Sequence, residues 1–423
     1  MKILAIETSC DETAISLMEA SGGLVKPKFK ILKSLVASQI KIHQPFGGVV
    51  PNLAKREHVK NLPVLLRKIF ANPKPEIRNS KQTQNSKFKI PNIDLIAVTV
   101  GPGLEPALWA GIEFAKQIHA ELRGLHADLR RKRILADQCS SQRKSASMLA
   151  GVNHLEGHLY SFLLPQKRVN SKHEARNTKN GNFEFRLPAV ALAQAGVSNL
   201  GFPAVSLLVS GGHTELLLMK DMETVTKLGE TRDDAVGECF DKVARMLKLP
   251  YPGGPEVEKL AKKGSAEAIT FPRPMLDQKN YDFSFSGLKT AVLYYLRDKS
   301  TNSEFNTNKR INEFAYSYIR TDSLFADLAA SFQKAAIDVL ITKTMRAARE
   351  YGAKSIMVSG GVAANKELRR RFTEEAKRFK NLKLVIPDFK YCTDNADMIA
   401  AAAYMNVLRG KQYPLEAKGN LDL

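Results

Sequence analysis

The sequence contains four cysteines in 423 residues, Cys10, Cys139, Cys239 and Cys392, and no two form a C-x-x-C pair. Such spacing argues against a disulfide framework and a thiolate zinc site, and suits a reducing, cytoplasmic setting. No run of about 18 apolar residues occurs, so no membrane span is expected. The apolar opening Ile3–Ile6 is too short for a signal-peptide core and is followed by acids. No G-x-x-x-x-G-K-[ST] is present, which excludes a P-loop, and no dinucleotide fingerprint follows the first apolar segment. Acidic residues are also scarce: 43 Asp and Glu face 64 Lys and Arg, a formal net charge of +21.

What is present is a globular composition. The chain is 44% hydrophobic, enough for a large core, and its length favours two lobes over one small domain. The positive charge is concentrated in three weakly apolar stretches, residues 66–90, 121–150 and 166–187. Basic surfaces of this kind attract polyanions, RNA foremost, although solvated basic loops remain the plain alternative.

Along the chain, residues 2–7 read as a buried strand, 8–12 as a polar turn and 13–18 as a returning strand. The same grammar recurs at 205–210, 211–213 and 214–219, which points to two related lobes. Residues 52–70 read as a helix with a kink expected at Pro63. Residues 93–100 read as a strand closed by Gly101-Pro102-Gly103, and 107–120 as a helix. The polar segments near 73–90, 124–148, 166–187 and 300–310 read as loops or insertions. In the second half, helices are expected over 326–351, 365–378 and 395–409, with strands at 355–359 and 383–386. This alternation predicts an α/β protein, divided into a lobe of residues 1–203 completed by 395–423 and a lobe of 204–394.

Four constellations carry chemistry. In Asn153-His154-Leu155-Glu156-Gly157-His158, a helix would place His154 and His158 at i and i+4, one turn apart on one face, where two imidazoles can share a metal ion. Two unrelated histidines are the alternative. Glu156 does not occupy the position that H-E-x-x-H proteases give their base. A third ligand is needed, and Asp394 is a candidate, or else it caps the closing helix. Second, the double-glycine turns at Ser210-Gly211-Gly212, Pro252-Gly253-Gly254 and Ser359-Gly360-Gly361 can bring backbone N–H groups close to phosphate. Third, Asp241, ahead of an amphipathic run at 243–249, can accept from ribose hydroxyls or serve a helix start. Fourth, Asn365 can cap a helix or meet a ligand.

Together these segments resemble the TsaD (Kae/Gcp/YgjD-type) family. The resemblance is carried by Ile6–Thr13, Gly101–Leu104, Asn153–His158, Leu208–Thr214, Phe240–Lys242, Tyr251–Pro255, Phe283–Thr290, Ser359–Asn365 and Cys392–Asn395, and it spans nearly the whole chain. It implies a two-lobed actin/hexokinase-like (ASKHA) α/β fold with a central cleft. It implies a divalent metal, Fe2+ with Zn2+ as the alternative, on His154, His158 and Asp394. Leu208, Val209, Ser210, Gly211, Gly212, Asp241, Gly254 and Asn365 would bind threonylcarbamoyl-AMP. The acceptor would be the N6 amine of the adenosine beside the anticodon, in tRNAs reading codons that begin with A. Asp11, Glu12 and His213, in two turns expected to face each other across the cleft, are candidates for the general base. A TsaB-like paralogue and a TsaE-like ATPase would be partners, with no membrane involved. Two other readings stay open, a metalloprotease and a non-enzymatic nucleotide-binding scaffold.

Overall fold

The computed structural model describes residues 1–71, 92–134, 147–166, 200–301 and 322–423. The chain forms two compact units. The first comprises Met1–His43, Val49–Pro165 and Asp394–Leu423, and the second Gln44–Gly48 and Gln166–Thr393. Asp394 groups with the closing helix in the first unit.

The first unit is built on β1 (Lys2–Glu7), β2 (Glu12–Ser21), β3 (Lys28–Ser38), β4 (Leu95–Gly101) and β5 (Met148–Asn153). They form one sheet in the order β3-β2-β1-β4-β5. The first three strands are antiparallel neighbours, while β4 and β5 add in parallel beside β1. The second unit uses β6 (Ala204–Val209), β7 (Thr214–Met219), β8 (Val225–Glu230), β9 (Ser355–Ser359) and β10 (Lys383–Val385). Their order, β10-β9-β6-β7-β8, is the same pattern met a second time. The chain is thus an α/β protein with a duplicated five-stranded sheet, the actin/hexokinase-like topology. The parallel central strands are apolar on both faces; every residue of β4, β6 and β9 is buried, as helix-covered strands require.

Helices cover these sheets. In the first unit α1 (Pro51–Phe70), with Pro at its start, and α2 (Glu105–Ile134) pack on each other and on the sheet. Helix α1 runs on through Pro63. Helix α2 is longer than expected: it passes residue 120 and takes in the first part of the 124–148 stretch read as a loop. The reason is that Leu, Ala, Arg and Lys are strong helix formers. The rest of that stretch, from 135 to 146, lies outside the described residues, as do 72–91, 167–199 and 302–321. The short α3 (His154–Tyr160) follows β5 directly. Helix α9 (Ala396–Arg409) is buried all round through Asn406, its four consecutive alanines admitting neighbours on every side.

The second unit carries α4 (Val236–Met246), α5 (Gly253–Ala261), α6 (Ser286–Thr301), α7 (Asp322–Glu350) and α8 (Lys366–Lys377). Its core joins β6, β7 and β9 to α4 and α7 through residues such as Leu207, Val209, Phe240, Phe332, Leu340 and Val358. No helix of the described residues is long and apolar enough to cross a membrane.

Candidate metal centre and glycine turns

Asn153 starts the site. It caps α3, its side-chain oxygen accepting from the N–H groups of Leu155 (2.8 Å) and Glu156 (3.3 Å). Its amide donates to the Asp422 carbonyl at 2.8 Å, tying the cap to the end of the chain. The helix so begun sets His154 and His158 one turn apart, with ring centroids 4.7 Å apart and planes at 84°. Asp394 completes the group. Its Oδ1 lies 3.4 Å from His154 Nε2 and 3.2 Å from His158 Nε2. Helix α9 is capped by Asn395, whose side chain accepts from Met398 N–H at 2.9 Å, so Asp394 is not spent on capping.

Gly157 makes the approach of α3 to α9 close enough. A Cβ there would stand 3.0 Å from Ile399 Cδ1 and 3.1 Å from Met398 Cγ, tighter than ordinary contact.

The residues fit a metal ion. His158 is fully buried; its Nδ1 makes no hydrogen bond, and its Nε2 faces only Asp394 Oδ1, at 3.2 Å. A buried polar group left so costs on the order of 1–3 kcal/mol unless something else satisfies it. Two imidazoles and a carboxylate, their ligand atoms mutually within 4.8 Å, are a donor set for zinc or iron(II). Electrostatics separate the two rings. Burial opposes charge on His154, but Asp394 and Glu7 outweigh it and raise its pKa to about 10. Burial lowers His158 and outweighs its contacts with Asp394. Burial likewise opposes the charge of Asp394, yet His154 and His158 hold it well below the usual carboxylate range.

Glu156, between the two histidines, is turned away. Its carboxylate lies 2.7 Å from Lys411 Nζ and accepts from Asn406 Nδ2 at 2.6 Å. Asp11 is buried in the β1–β2 turn, and Glu12 is the first residue of β2 rather than part of the turn. Burial first, then Asp11 and Asp394, raise Glu12 to about 10.

Two residues that sequence reasoning passed over lie here. Glu7, read as the end of a strand, is fully buried, and its Oε2 is 3.2 Å from His154 Nδ1. His58, read as one residue of a helix, lies with Nε2 3.0 Å from the Cys10 carbonyl and Nδ1 2.8 Å from Thr13 Oγ1. The signal for Glu7 was an acid closing an apolar strand; His58 left none.

The remaining expected residues belong to the second unit. Leu208 and Val209 are in β6 with buried side chains, so only Ser210, Gly211 and Gly212 present an accessible turn. His213 closes this turn, its N–H donating to Ser210 Oγ at 3.1 Å while its carbonyl accepts from Ser210 N–H at 2.8 Å. Two neighbours crowd the turn. A Cβ on Gly237 would meet the Ser210 carbonyl at 2.4 Å, and one on Gly360 (φ +91°) the Val209 carbonyl at 2.3 Å. Glycine at both lets the start of α4 and the end of β9 abut the end of β6.

Asp241 differs from expectation. It lies within α4, which starts at Val236, not ahead of the helix. Its Oδ1 accepts from Gly253 N–H at 2.7 Å and Gly254 N–H at 3.3 Å, so it caps α5 across a chain turn. Asn365 caps α8, accepting from Leu368 N–H at 2.9 Å and donating to Gln333 Oε1 at 2.9 Å.

Comparison with known proteins decides what this arrangement belongs to. Residues 30–123 and 187–401 match the family described as TsaD, tRNA N6-adenosine threonylcarbamoyltransferase. The chain belongs to the TsaD family. The protein of that name from Thermosipho africanus is 39% identical over the full length of both chains. That from Bacillus cereus is 39% identical over 99% of this chain and 95% of its own. Among solved structures, full-length HypF in a phosphate- and nucleotide-bound form is 11% identical, with a TM-score of 0.48 over 96% of this chain and 55% of that one. The chain spans about half the length of HypF. The unmatched interval 124–186 holds most of two of the three basic stretches. Membership makes the chain a transferase of tRNA modification.

Proposed function

We propose that the chain transfers a threonylcarbamoyl group from threonylcarbamoyl-AMP to the N6 amine of the adenosine beside the anticodon, in tRNAs reading codons that begin with A. Family membership supports the reaction class. The observation that carries the site assignment is the convergence of His154 Nε2, His158 Nε2 and Asp394 Oδ1 in a buried group. In this reading the three hold one divalent ion, Fe2+ or Zn2+.

The acceptor amine is a poor nucleophile, because its lone pair is delocalised into the purine. An activated donor is therefore required, and the carbamoyl–phosphate mixed anhydride is one. The N6–carbonyl bond forms, the carbonyl–phosphate oxygen bond breaks with AMP leaving, and the amine surrenders one proton. When bound, the ion supplies Lewis acidity toward an acyl oxygen and a fixed orientation for it. The chain's own groups do the rest. The backbone of Gly211 and Gly212, in the turn that Ser210 closes with His213, receives phosphate through fixed N–H dipoles. Asp241 orders Gly253 and Gly254, and Asn365 shapes the neighbouring turn as a helix cap. Asp11, Glu12 and His213 are assigned to proton handling. Burial and Asp11 hold Glu12 protonated, so in this reading Asp11 or His213 takes the proton that the amine surrenders. The basic stretches are assigned to tRNA phosphates, a TsaB-like paralogue and a TsaE-like ATPase to partnership, and the cytoplasm to location.

The protease reading lacks the base of H-E-x-x-H: Leu155 stands where that glutamate would, and Glu156 is paired with Lys411. The experiment is reconstitution with tRNA, threonine, bicarbonate, ATP, an adenylate-forming synthase and the accessory proteins, followed by mass spectrometry of the digested tRNA. The modified nucleoside is expected with the wild-type chain and lost in His154→Ala. A scaffold would show no loss in that variant, and a protease would cleave peptide instead.

A further inference from the structure

We propose that Glu7 is the positioning residue that orients His154 toward the metal; this rests on the reading of His154, His158 and Asp394 as the metal centre. Glu7 ends β1, a strand otherwise apolar after Lys2, and its side chain is fully buried. A carboxylate in such a place is costly unless its oxygens are occupied and a positive charge stands near. Its oxygens are occupied. Oε1 accepts from the Ser9 N–H at 2.6 Å, and Oε2 accepts from the Thr99 hydroxyl. Thr99 lies on the adjacent parallel strand β4, just past the Ile6–Val98 pair, so the carboxylate is clamped between two backbone segments.

The same Oε2 lies 3.2 Å from His154 Nδ1, and Ser9 Oγ lies 3.2 Å from that nitrogen as well. A carboxylate can only accept, so Nδ1 carries the hydrogen. Nε2, 3.4 Å from Asp394 Oδ1, is then the nitrogen that gives up its hydrogen when an ion binds. The tautomer that can bind metal through Nε2 is thereby selected, and the ring plane with it. His158 has no such support, since its Nδ1 makes no hydrogen bond. One ligand is therefore oriented by a hydrogen bond, and the other by packing alone. The rival is a metal-free ion bridge, with a charged His154 spanning Glu7 and Asp394.

The test uses the purified full chain and Zn2+, with affinity measured by competition against a chromogenic chelator, and Co2+ as a visible-spectrum probe. Glu7→Gln keeps the shape but removes the charge and leaves one accepting oxygen for Ser9 N–H, Thr99 Oγ1 and His154 Nδ1. It is expected to bind Zn2+ about 10–100-fold more weakly and to shift the Co2+ bands. Wild-type affinity and spectrum in Glu7→Gln overturn the proposal. His158→Ala separates the two claims: if that variant binds as tightly as wild type, the metal centre itself is wrong. Should Glu7→Gln fail to fold, nitrogen-15 histidine NMR of the Zn2+-loaded wild type decides. A hydrogen on Nδ1 of His154 is expected, and a hydrogen on its Nε2 overturns the proposal.

Discussion

The carboxylate of Glu156 lies 2.7 Å from the ammonium of Lys411, a contact that joins α3 to the segment following α9. Glu156 stands between two histidines in the sequence, yet it is directed to structure and not to the ion. Asn406 on α9 holds its other oxygen. The pair thus anchors the short helix that carries both histidines.

Replacing Lys411 by Met should lower stability by about 1–3 kcal/mol, because a mostly buried carboxylate loses a charged partner. Urea denaturation measures this. The same variant should show no peptidase activity and should retain most of its metal, since no ligand is touched.

Asp241→Ala should free the amides of Gly253 and Gly254 and cost about 0.5–2 kcal/mol as a lost helix cap. Asp241→Asn should cost less, because its oxygen still accepts. If the glycine turn binds the donor, affinity for a non-hydrolysable adenylate analogue should fall in the alanine variant by calorimetry. Unchanged affinity would confine Asp241 to capping.

These contrasts show where the amino-acid pattern was readable. The pair His154 and His158 was legible because helical spacing alone puts i and i+4 on one face. Strands β1, β2, β4, β6, β7, β9 and β10 were legible as apolar runs, whereas β3, β5 and β8 were not, because they are half-exposed and carry no unbroken apolar run. Asp394 could only be a candidate, since its approach depends on Gly157 admitting α9, a long-range event. The cap of α9 falls to Asn395, a neighbour equally fit for it. Asp241 was misplaced by an amphipathic run that became obvious only at Val243, although α4 begins at Val236. Glu7 passed unnoticed because an acid ending a strand ordinarily meets water, and burial there is a tertiary fact.

Gly157→Val should separate α3 from α9, since even a Cβ would press on Ile399 and Met398. A destabilisation of about 1–3 kcal/mol is expected from overpacking, with reduced metal content by elemental analysis. Gly157→Ala requires shifts of only a few tenths of an ångström and should fall between that variant and wild type.

Lys343 gives a pH signature in the second unit. It is fully buried, donating to the carbonyls of Asn280 (3.2 Å) and Asp282 (2.6 Å). Burial, and then Arg346, lower its pKa to about 8 from 10.5. Below pH 8 both folded and unfolded chains hold the proton, and the penalty for burying the charge is fully present. Between about 8 and 10.5 the folded chain has released a proton that the unfolded chain keeps, so this group's contribution to stability rises with pH. Lys343→Met should remove that rise in urea-unfolding measurements across the window. A slope identical to wild type would mean the ammonium titrates normally.

The central claim is that His154, His158 and Asp394 hold one ion. Anomalous diffraction from crystals of the chain loaded with iron or zinc tests it most directly. The account predicts a single peak at bonding distance, about 2.0–2.2 Å, from Nε2 of both histidines and the carboxylate of Asp394. A chain that modifies tRNA while those three side chains share no anomalous peak would contradict it.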